Sequence, residues 1–255
     1  MGDAQFRRTS NSRLWDAYAA VYDLGVTRLA PYRQLQDDLL GLVRGEAERM
    51  RRAGHRRRLR LLDLCCGTGN HLARLLSELD EVSGTGVDLS PAMLRVARRK
   101  CRRPGAVRWL CGDAMRVLRQ LPAASYDLVL MCNSFYPQPR KAELLAELRR
   151  ILHPEGALVL SDPLRGANLL TLLFEHLRVE GPVGLYVLPM LCASSLCSLL
   201  VQADAAKTFY ASQHTRILLE QAGLTTRYES RTYAGASYLL VARPALHFRE
   251  RFRFP

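Results

Sequence analysis

The stretch from Leu59 to Leu76 constrains the fold more than any other part of the chain. Leu59 to Leu64 is a short apolar run of strand type that ends in Asp63-Leu64-Cys65-Cys66-Gly67-Thr68-Gly69, and Leu72, Leu75 and Leu76 then recur at helical spacing. A strand that passes through a glycine-rich turn straight into a helix opens a β–α–β unit, and such units assemble into parallel sheets.

The alternation continues downstream. Gly84 to Asp88 reads as a second strand, and Ser90 followed by Pro91 is a helix start, with Met93, Leu94 and Ala97 on the inner face. Val107 to Cys111 is strand-like and stops at Gly112-Asp113. Tyr126 to Cys132 is an apolar run interrupted only by Asp127, as suits a strand buried on both faces. Leu144, Leu145, Leu148, Ile151 and Leu152 make a helix expected to stop at His153-Pro154-Glu155-Gly156, before a fifth strand from Ala157 to Ser161. Near the C-terminus a helix with Ile217, Leu218 and Ala222 closes at Gly223. Two strands follow, Thr225 to Ser230 and Tyr238 to Val241, with a link too short for a helix, so they pair antiparallel. Upstream, Leu14, Trp15, Tyr18, Ala19 and Tyr22, then Leu35, Leu39, Leu40 and Val43, fall at helical spacing. The expected fold is α/β: a Rossmann-like, seven-stranded, mostly parallel sheet with helices on both faces, an N-terminal helical segment and a helical lid inserted after strand five. The division is a helical cap over 1–57, a core over 58–243 with a lid at 162–206, and a basic tail over 244–255.

The lid expectation comes from Val183 to Val201, which carries no charge. Its length approaches a bilayer span, but Gly184, Pro189, Ser194, Ser195 and Ser198 interrupt it, and the chain must return to the same sheet afterwards. A lid over an apolar pocket, with shallow membrane contact as the alternative, fits better. The seven cysteines are odd in number and form no C-x-x-C pair, which argues for free thiols in a reducing compartment and against zinc or disulfides. Met1 to Asn11 has no apolar core, so no secretory signal and a cytoplasmic setting are expected, with peripheral membrane association as the further option. The net charge is +13, yet only Lys100, Lys141 and Lys207 are lysines, an arginine bias that reflects genome composition as readily as a binding surface. Two clusters remain candidate anion surfaces: Arg51, Arg52, Arg56, Arg57, Arg58 and Arg60, and Arg98, Arg99, Lys100, Arg102 and Arg103.

The chemistry concentrates at strand ends. Ligands of doubly wound sheets sit outside the carboxyl ends of the strands. Gly67 and Gly69 let a ligand approach the backbone, and the helix behind them offers free N–H groups. Asp88 ends the second strand, where a carboxylate accepts both hydroxyls of a ribose, and Asp113 ends the third, where it meets the exocyclic amine of adenine. A nucleoside-type ligand follows. A nicotinamide dinucleotide would require glycine at the position held by Leu72.

These segments together resemble the class I methyltransferases that use S-adenosylmethionine (SAM), across roughly residues 58–243. Asp63 to Gly69 resembles the family's first motif, with Cys65 where the first glycine is common. Val87-Asp88-Leu89-Ser90-Pro91-Ala92-Met93 resembles the ribose motif, Gly112-Asp113-Ala114 the adenine motif, and Leu152 to Gly156 the turn before strand five. The resemblance implies SAM as cofactor, with Tyr18, Tyr22, Asp63, Cys65, Gly67, Gly69, Asp88, Leu89, Met93, Asp113, Ala114, Cys132 and Asn133 around it. In that arrangement Asn70 and His71 begin the helix under the methionine part, Cys132 and Asn133 face the sulfonium, and Tyr18 and Tyr22 close the site. The second half is similar to ubiquinone/menaquinone C-methyltransferases through Tyr186-Val-Leu-Pro189, Ala222-Gly223, Tyr228 and Tyr233-Ala-Gly235, although Cys132 to Pro137 lacks the glycine–arginine–asparagine pattern expected there.

A greasy small-molecule acceptor, quinone-, polyketide- or lipid-like, is therefore expected. A phenol or enol carbon needs a base, for which His176 and His214 are candidates, with Asn133, Tyr136 and Tyr210 as positioning groups. No metal site is expected. Alternatives are a phospholipid- or amine-directed enzyme at a membrane surface, favoured by the basic aromatic tail (His247, Phe248, Arg249, Arg251, Phe252, Arg253, Phe254), an RNA methyltransferase, and a SAM-binding subunit without turnover. Nucleic acid is disfavoured because Asn133-Ser134-Phe135-Tyr136 has no prolines where an RNA-directed run carries them.

Overall fold

The computed structural model describes residues 10–101, 107–164, 169–189 and 211–245. Two helices, α1 (Ser10–Val26) and α2 (Ala30–Arg52), precede β1 (Leu59–Leu64), α3 (Asn70–Glu78), β2 (Val82–Asp88), α4 (Pro91–Lys100) and β3 (Val107–Cys111). Then follow α5 (Ala114–Gln120), β4 (Tyr126–Cys132), α6 (Lys141–Ile151), β5 (Leu152–Pro163), α7 (Leu169–Glu180) and a 3₁₀ turn (Pro182–Val187). The last elements are α8 (Ser212–Gln221), β6 (Leu224–Thr232) and β7 (Ser237–Pro244).

The seven strands form one sheet in the order β3-β2-β1-β4-β5-β7-β6. Every pairing from β3 to β5 is parallel, and β7 is antiparallel to both β5 and β6. From β1 the chain winds outward through β2 and β3, then returns to the other side of β1 for β4. The carboxyl ends of β1 and β4 therefore flank the point where winding reverses, the place where a crevice opens in such sheets.

The continuous apolar strands are explained by the two-residue period of a strand facing helices on both sides. Leu62, Leu64, Val129, Met131, Leu158 and Leu160 point into one cluster with Leu118, Leu144, Leu145, Leu148 and Leu219 of α5, α6 and α8. Leu59, Leu61, Leu128, Leu130 and Val159 point into the other, with Leu72, Leu75 and Leu76 of α3 and Leu35, Leu39, Val43, Ala47 and Met50 of α2. Leu35, Val43 and Met50 are wholly buried, each contributing about 1.5–3 kcal/mol. In this way α2 belongs to the apolar layer that covers the sheet. In α8 the buried residues are Thr215 and Leu219, whereas Ile217 points outward.

Several boundaries differ from the sequence expectation. β2 begins at Val82, and β6 and β7 each run two or more residues longer than their apolar cores. The turn expected at His153–Gly156 lies inside β5. Tyr126 pairs with Leu152 and Leu128 with Ala157, so the intervening residues loop out as an irregularity of the ladder. Gly156 permits this, since a Cβ there would lie 2.7 Å from the Asp127 carbonyl oxygen. The helical insertion after β5 is described through α7, the 3₁₀ turn and on to Pro189. The rest of the expected lid, with Ser194, Ser195, Ser198 and Val201, lies outside the described residues, as do Tyr210, Arg102, Arg103 and the basic tail from 246 onward.

Candidate active site

The carboxyl ends of β1, β2, β3 and β4 surround a cavity of about 290 Å³. Of the expected cofactor residues, Tyr22, Asp63, Cys65, Gly67, Asp88, Leu89, Met93, Asp113, Ala114, Cys132 and Asn133 line it, together with Tyr136. Two expected residues stand one layer back. Tyr18 packs edge-on to Tyr22 at a centroid distance of 5.3 Å. Gly69 sits behind the turn, where a Cβ would lie 2.8 Å from the Ala97 Cβ, so its smallness serves the packing of α3 on α4.

The turn after β1 is built on left-handed backbone. Cys65, Gly67 and Gly69 have φ of 59°, 53° and 70°. This accounts for the usual glycine at the position of Cys65: a side chain in that conformation costs on the order of 1–2 kcal/mol. Asp88 braces the turn. One carboxylate oxygen accepts the Gly67 N–H at 2.8 Å, and the other accepts the Ser90 N–H at 2.8 Å. Ser90 caps α4 by accepting the Met93 N–H at 3.1 Å. Asp113 caps α5 in the same way, accepting the Arg116 N–H at 3.0 Å through one oxygen.

Helix α1 is fastened across this rim by two acidic residues that sequence reasoning did not single out. Asp16 accepts the Ser90 hydroxyl at 2.6 Å and the Ala92 N–H at 3.2 Å, at the start of α4. Asp23 accepts the Thr68 hydroxyl at 2.7 Å and the Asn70 amide at 2.9 Å, and pairs with Lys100 at 2.5 Å. Trp15 and Tyr22 of α1 and Tyr32 of α2 are thereby brought into the lining, along with Thr68, Asn70 and His71. After β4, the loop 133–139 adds Ser134, Pro137, Gln138 and Pro139. It is pinned by Lys141, which donates to the Tyr136 and Gln138 carbonyls at 2.7 and 2.9 Å, and by Asp162, which accepts the Phe135 N–H at 3.2 Å.

Burial sets the charge state of the site. Asp63 is almost fully buried, one of its oxygens has no partner among the described residues, and desolvation, then the nearby Asp88, push its pKa up to about 8. Burial likewise raises the thiols of Cys65, Cys66 and Cys132, so none is a ready thiolate. It lowers His71 to about 4, with Arg74 and Lys100 adding to the effect.

The two histidines expected as bases lie elsewhere. His176 is wholly buried in α7, where Nδ1 accepts the Ala30 N–H at 3.1 Å and so fixes the start of α2. His214 is on α8 and does not line the cavity. At the opposite end of the sheet, His55, Asp127 and His153 come together. There Arg57 holds both Asp127 oxygens, at 2.6 and 2.7 Å, and the Arg60 N–H donates at 2.8 Å, so the carboxylate is already neutralised by guanidinium. No helix among the described residues is long and apolar enough to cross a membrane.

A methyltransferase domain matches residues 61–156, the span from β1 to β5 that carries this rim. The chain thus carries a SAM-dependent methyltransferase domain. It is 29% identical over 189 residues, 72% of this chain and 83% of the relative, to the demethylmenaquinone methyltransferase of Thermus thermophilus. Over 109 residues, 43% of this chain and 39% of the relative, it is 32% identical to the phthiotriol/phenolphthiotriol dimycocerosates methyltransferase of Mycobacterium leprae. A SAM-dependent methyltransferase from Aquifex aeolicus superposes with a TM-score of 0.55 at 16% identity, over 92% of this chain and 98% of that one, which is a likeness of fold. In this methyltransferase, the orphan Asp63 oxygen and the braced glycine turn suit SAM, whose methionine end is cationic and whose adenosine needs close backbone approach.

Proposed function

We propose that the rim holds SAM in an extended pose and that the methyl acceptor is a hydrophobic small molecule of quinone-, polyketide- or lipid-like type. In this reading Asp88 takes the ribose hydroxyls with the lone pairs left after its two backbone contacts, and the Asp113 oxygen not used in capping takes the adenine amine. Leu89, Met93 and Ala114 pack beside the base, and Gly67 admits the chain of the ligand. Asp63 pairs with the methionine ammonium, which relieves its burial. SAM supplies an electrophilic methyl group. The protein aligns the acceptor with it, excludes water, and provides for the proton. Alignment is worth about 7–11 kcal/mol in favourable intramolecular cases.

The observation that carries the acceptor class is the aromatic wall. Trp15, Tyr22, Tyr32 and Tyr136 line the cavity, and burial holds the Tyr22, Tyr32 and Tyr136 hydroxyls above their ordinary pKa. Flat apolar acceptors fit such a wall. The Thermus relative, which spans most of this chain, is named for a quinone acceptor. Incubation with isotope-labelled SAM and a fractionated lipid extract, followed by mass spectrometry, tests the reading. Label in an apolar small molecule is expected, and label only in RNA or protein would contradict it.

A second reading, work at a membrane surface, is favoured by one feature. Phe174 is 65% and Val183 80% exposed, and Leu170, Val179 and Leu185 are exposed beside them on α7 and the 3₁₀ turn. An apolar patch on a chain of net charge +13 suits anionic lipid. Co-sedimentation with anionic vesicles that salt abolishes is its test, and a lack of binding at low salt would exclude it.

A further inference from the structure

The wall formed by α1, α2 and the start of α3 differs from the strand ends. Its lining residues Trp15, Tyr22, Tyr32, Asn70 and His71 include no carboxylate. Two of them form a pair. The Tyr32 hydroxyl lies 3.5 Å from His71 Nε2, the ring centroids are 5.5 Å apart, and Tyr233 packs edge-on against Tyr32 at 6.4 Å. A contact of this length is usual for a proton-transfer pair before substrate tightens it. His71 Nδ1 is buried with no partner among the described residues. Among the described residues one ring nitrogen is thus engaged by Tyr32 and the other has no partner, whichever tautomer is present, an arrangement that costs about 1–3 kcal/mol and that packing alone gives no reason to keep.

The surroundings keep the imidazole neutral, and so able to receive a proton. Burial, then Arg74 and Lys100, lower its pKa to about 4, and His71 lies in the first turn of α3, where the helix dipole acts in the same direction. Both cations are themselves paired, Arg74 with Asp37 and Lys100 with Asp23. The other titratable groups near Tyr32, namely Tyr22, Tyr233 and Cys132, are all held neutral by burial.

We propose that His71, acting through the Tyr32 hydroxyl, receives the proton released by a methyl acceptor that is a weakly acidic hydroxyl or enol, such as a phenol or hydroquinone. The inference rests on the reading of the cavity as the SAM site. The acceptor forms its bond to the methyl group while the sulfur retains the electron pair of the broken S–CH₃ bond. The acceptor's proton passes to the Tyr32 oxygen as the Tyr32 proton passes to His71 Nε2. One positive charge disappears from sulfur and one appears on imidazole, so the buried site keeps its net charge. A sulfonium nearby holds His71 unprotonated before transfer, and its loss allows protonation afterwards. Tyr32 touches the acceptor, and His71 works behind it.

The test reads His71 directly. Histidine-labelled protein is titrated by NMR with SAM bound and with its demethylated product, S-adenosylhomocysteine (SAH), bound. The His71 pKa is expected to be higher with SAH by about one unit or more, a tenfold change in proton affinity. Equal values in the two complexes overturn the proposal. Failure of both ligands to bind overturns the reading of the site instead. In a second arm 1,4-dihydroxynaphthalene is the acceptor with labelled SAM. His71→Gln and Tyr32→Phe are expected to lower kcat about 10²–10⁴-fold with KM little changed, and imidazole to restore part of the activity of His71→Gly. Unchanged kcat in His71→Gln, or no methylation of this probe by the unsubstituted protein with SAM bound, sinks the assignment. Melting temperature and SAH affinity of each variant separate loss of the proton acceptor from loss of fold.

Discussion

Asp23 in α1 accepts a 2.7 Å hydrogen bond from the hydroxyl of Thr68, in the turn after β1, across 45 positions of sequence. The same carboxylate holds Asn70 and Lys100, so a single side chain fastens the helix bearing Trp15 and Tyr22 to the turn that frames the cavity.

Asp23→Asn should therefore act on closure. Hydrogen bonds to a charged partner contribute about 1.5–3 kcal/mol, which corresponds to a loss of SAM affinity of roughly tenfold or more, arising from faster dissociation. Stopped-flow fluorescence of Trp15 would follow it. An off-rate equal to that of the unsubstituted protein would mean that α1 is not a closing element.

Asp88 braces the rim, since its two oxygens hold the Gly67 and Ser90 N–H groups, and in the proposed reading it also takes the ribose. Asp88→Ala should lower SAM affinity by about 100-fold or more, the combined worth of two charge-assisted hydrogen bonds, while circular dichroism shows the fold retained. Calorimetry that returned an unchanged affinity would contradict the ribose assignment.

The strand ends were legible because their signals are local. A two-residue period, the Ser90-Pro91 cap and the glycine turn each lie within a few neighbouring residues, and together they brought Asp63, Asp88 and Asp113 to one rim. Asp16, Asp23 and Tyr32 were not legible in this way. They sit on helices whose faces carry several aromatic and acidic residues, and only the packing of α1 on α4 and of α2 on the sheet selects which of them reach the cavity. His176 misled for the converse reason: a histidine in a charge-poor segment invites a catalytic role, whereas its Nδ1 is spent on the backbone of Ala30. His71 stood within the motif itself, and its role became visible only through its contact with Tyr32. The course of β5 was hidden because a proline and a glycine normally mark a turn, and here they mark an irregularity that Gly156 accommodates.

Asp63 carries a pH signature. Its folded pKa of about 8 lies above the ordinary carboxylate value, so the folded state binds the extra proton and this group's contribution to stability falls as pH rises from about 4 to about 8. Asp63→Asn should remove that slope and raise the melting temperature of the unliganded protein at pH 8. Pairing with a cationic ligand should reverse the preference, so SAM binding at pH 7 should release a proton from the unsubstituted protein and none from Asp63→Asn. Calorimetry in buffers of different ionisation enthalpy reads that proton, and equal release by both proteins would exclude Asp63 as the source.

Asp127 provides the opposite case at the foot of the sheet. Its side chain is wholly buried, and hydrogen bonds from Arg57 and Arg60, outweighing the cost of burial, hold its pKa below the ordinary value. A depressed carboxylate stabilises the fold above its unfolded pKa, near 4, and loses that contribution as pH falls through the lower folded value. Breaking such a pair costs about 3–5 kcal/mol when both ions are buried, and the partial exposure of both arginines reduces this, so Asp127→Ala should destabilise by about 2–3 kcal/mol at pH 7. The difference in unfolding free energy from the unsubstituted protein should shrink as pH falls below about 5, because the unfolded state's Asp127 then takes up a proton that the native carboxylate, held ionised by the arginines, does not. SAM affinity should be unaffected, since this cluster lies at the end of the strands away from the cavity. A loss of SAM binding in a variant still folded at 25 °C would show that the foot of the sheet is coupled to the rim.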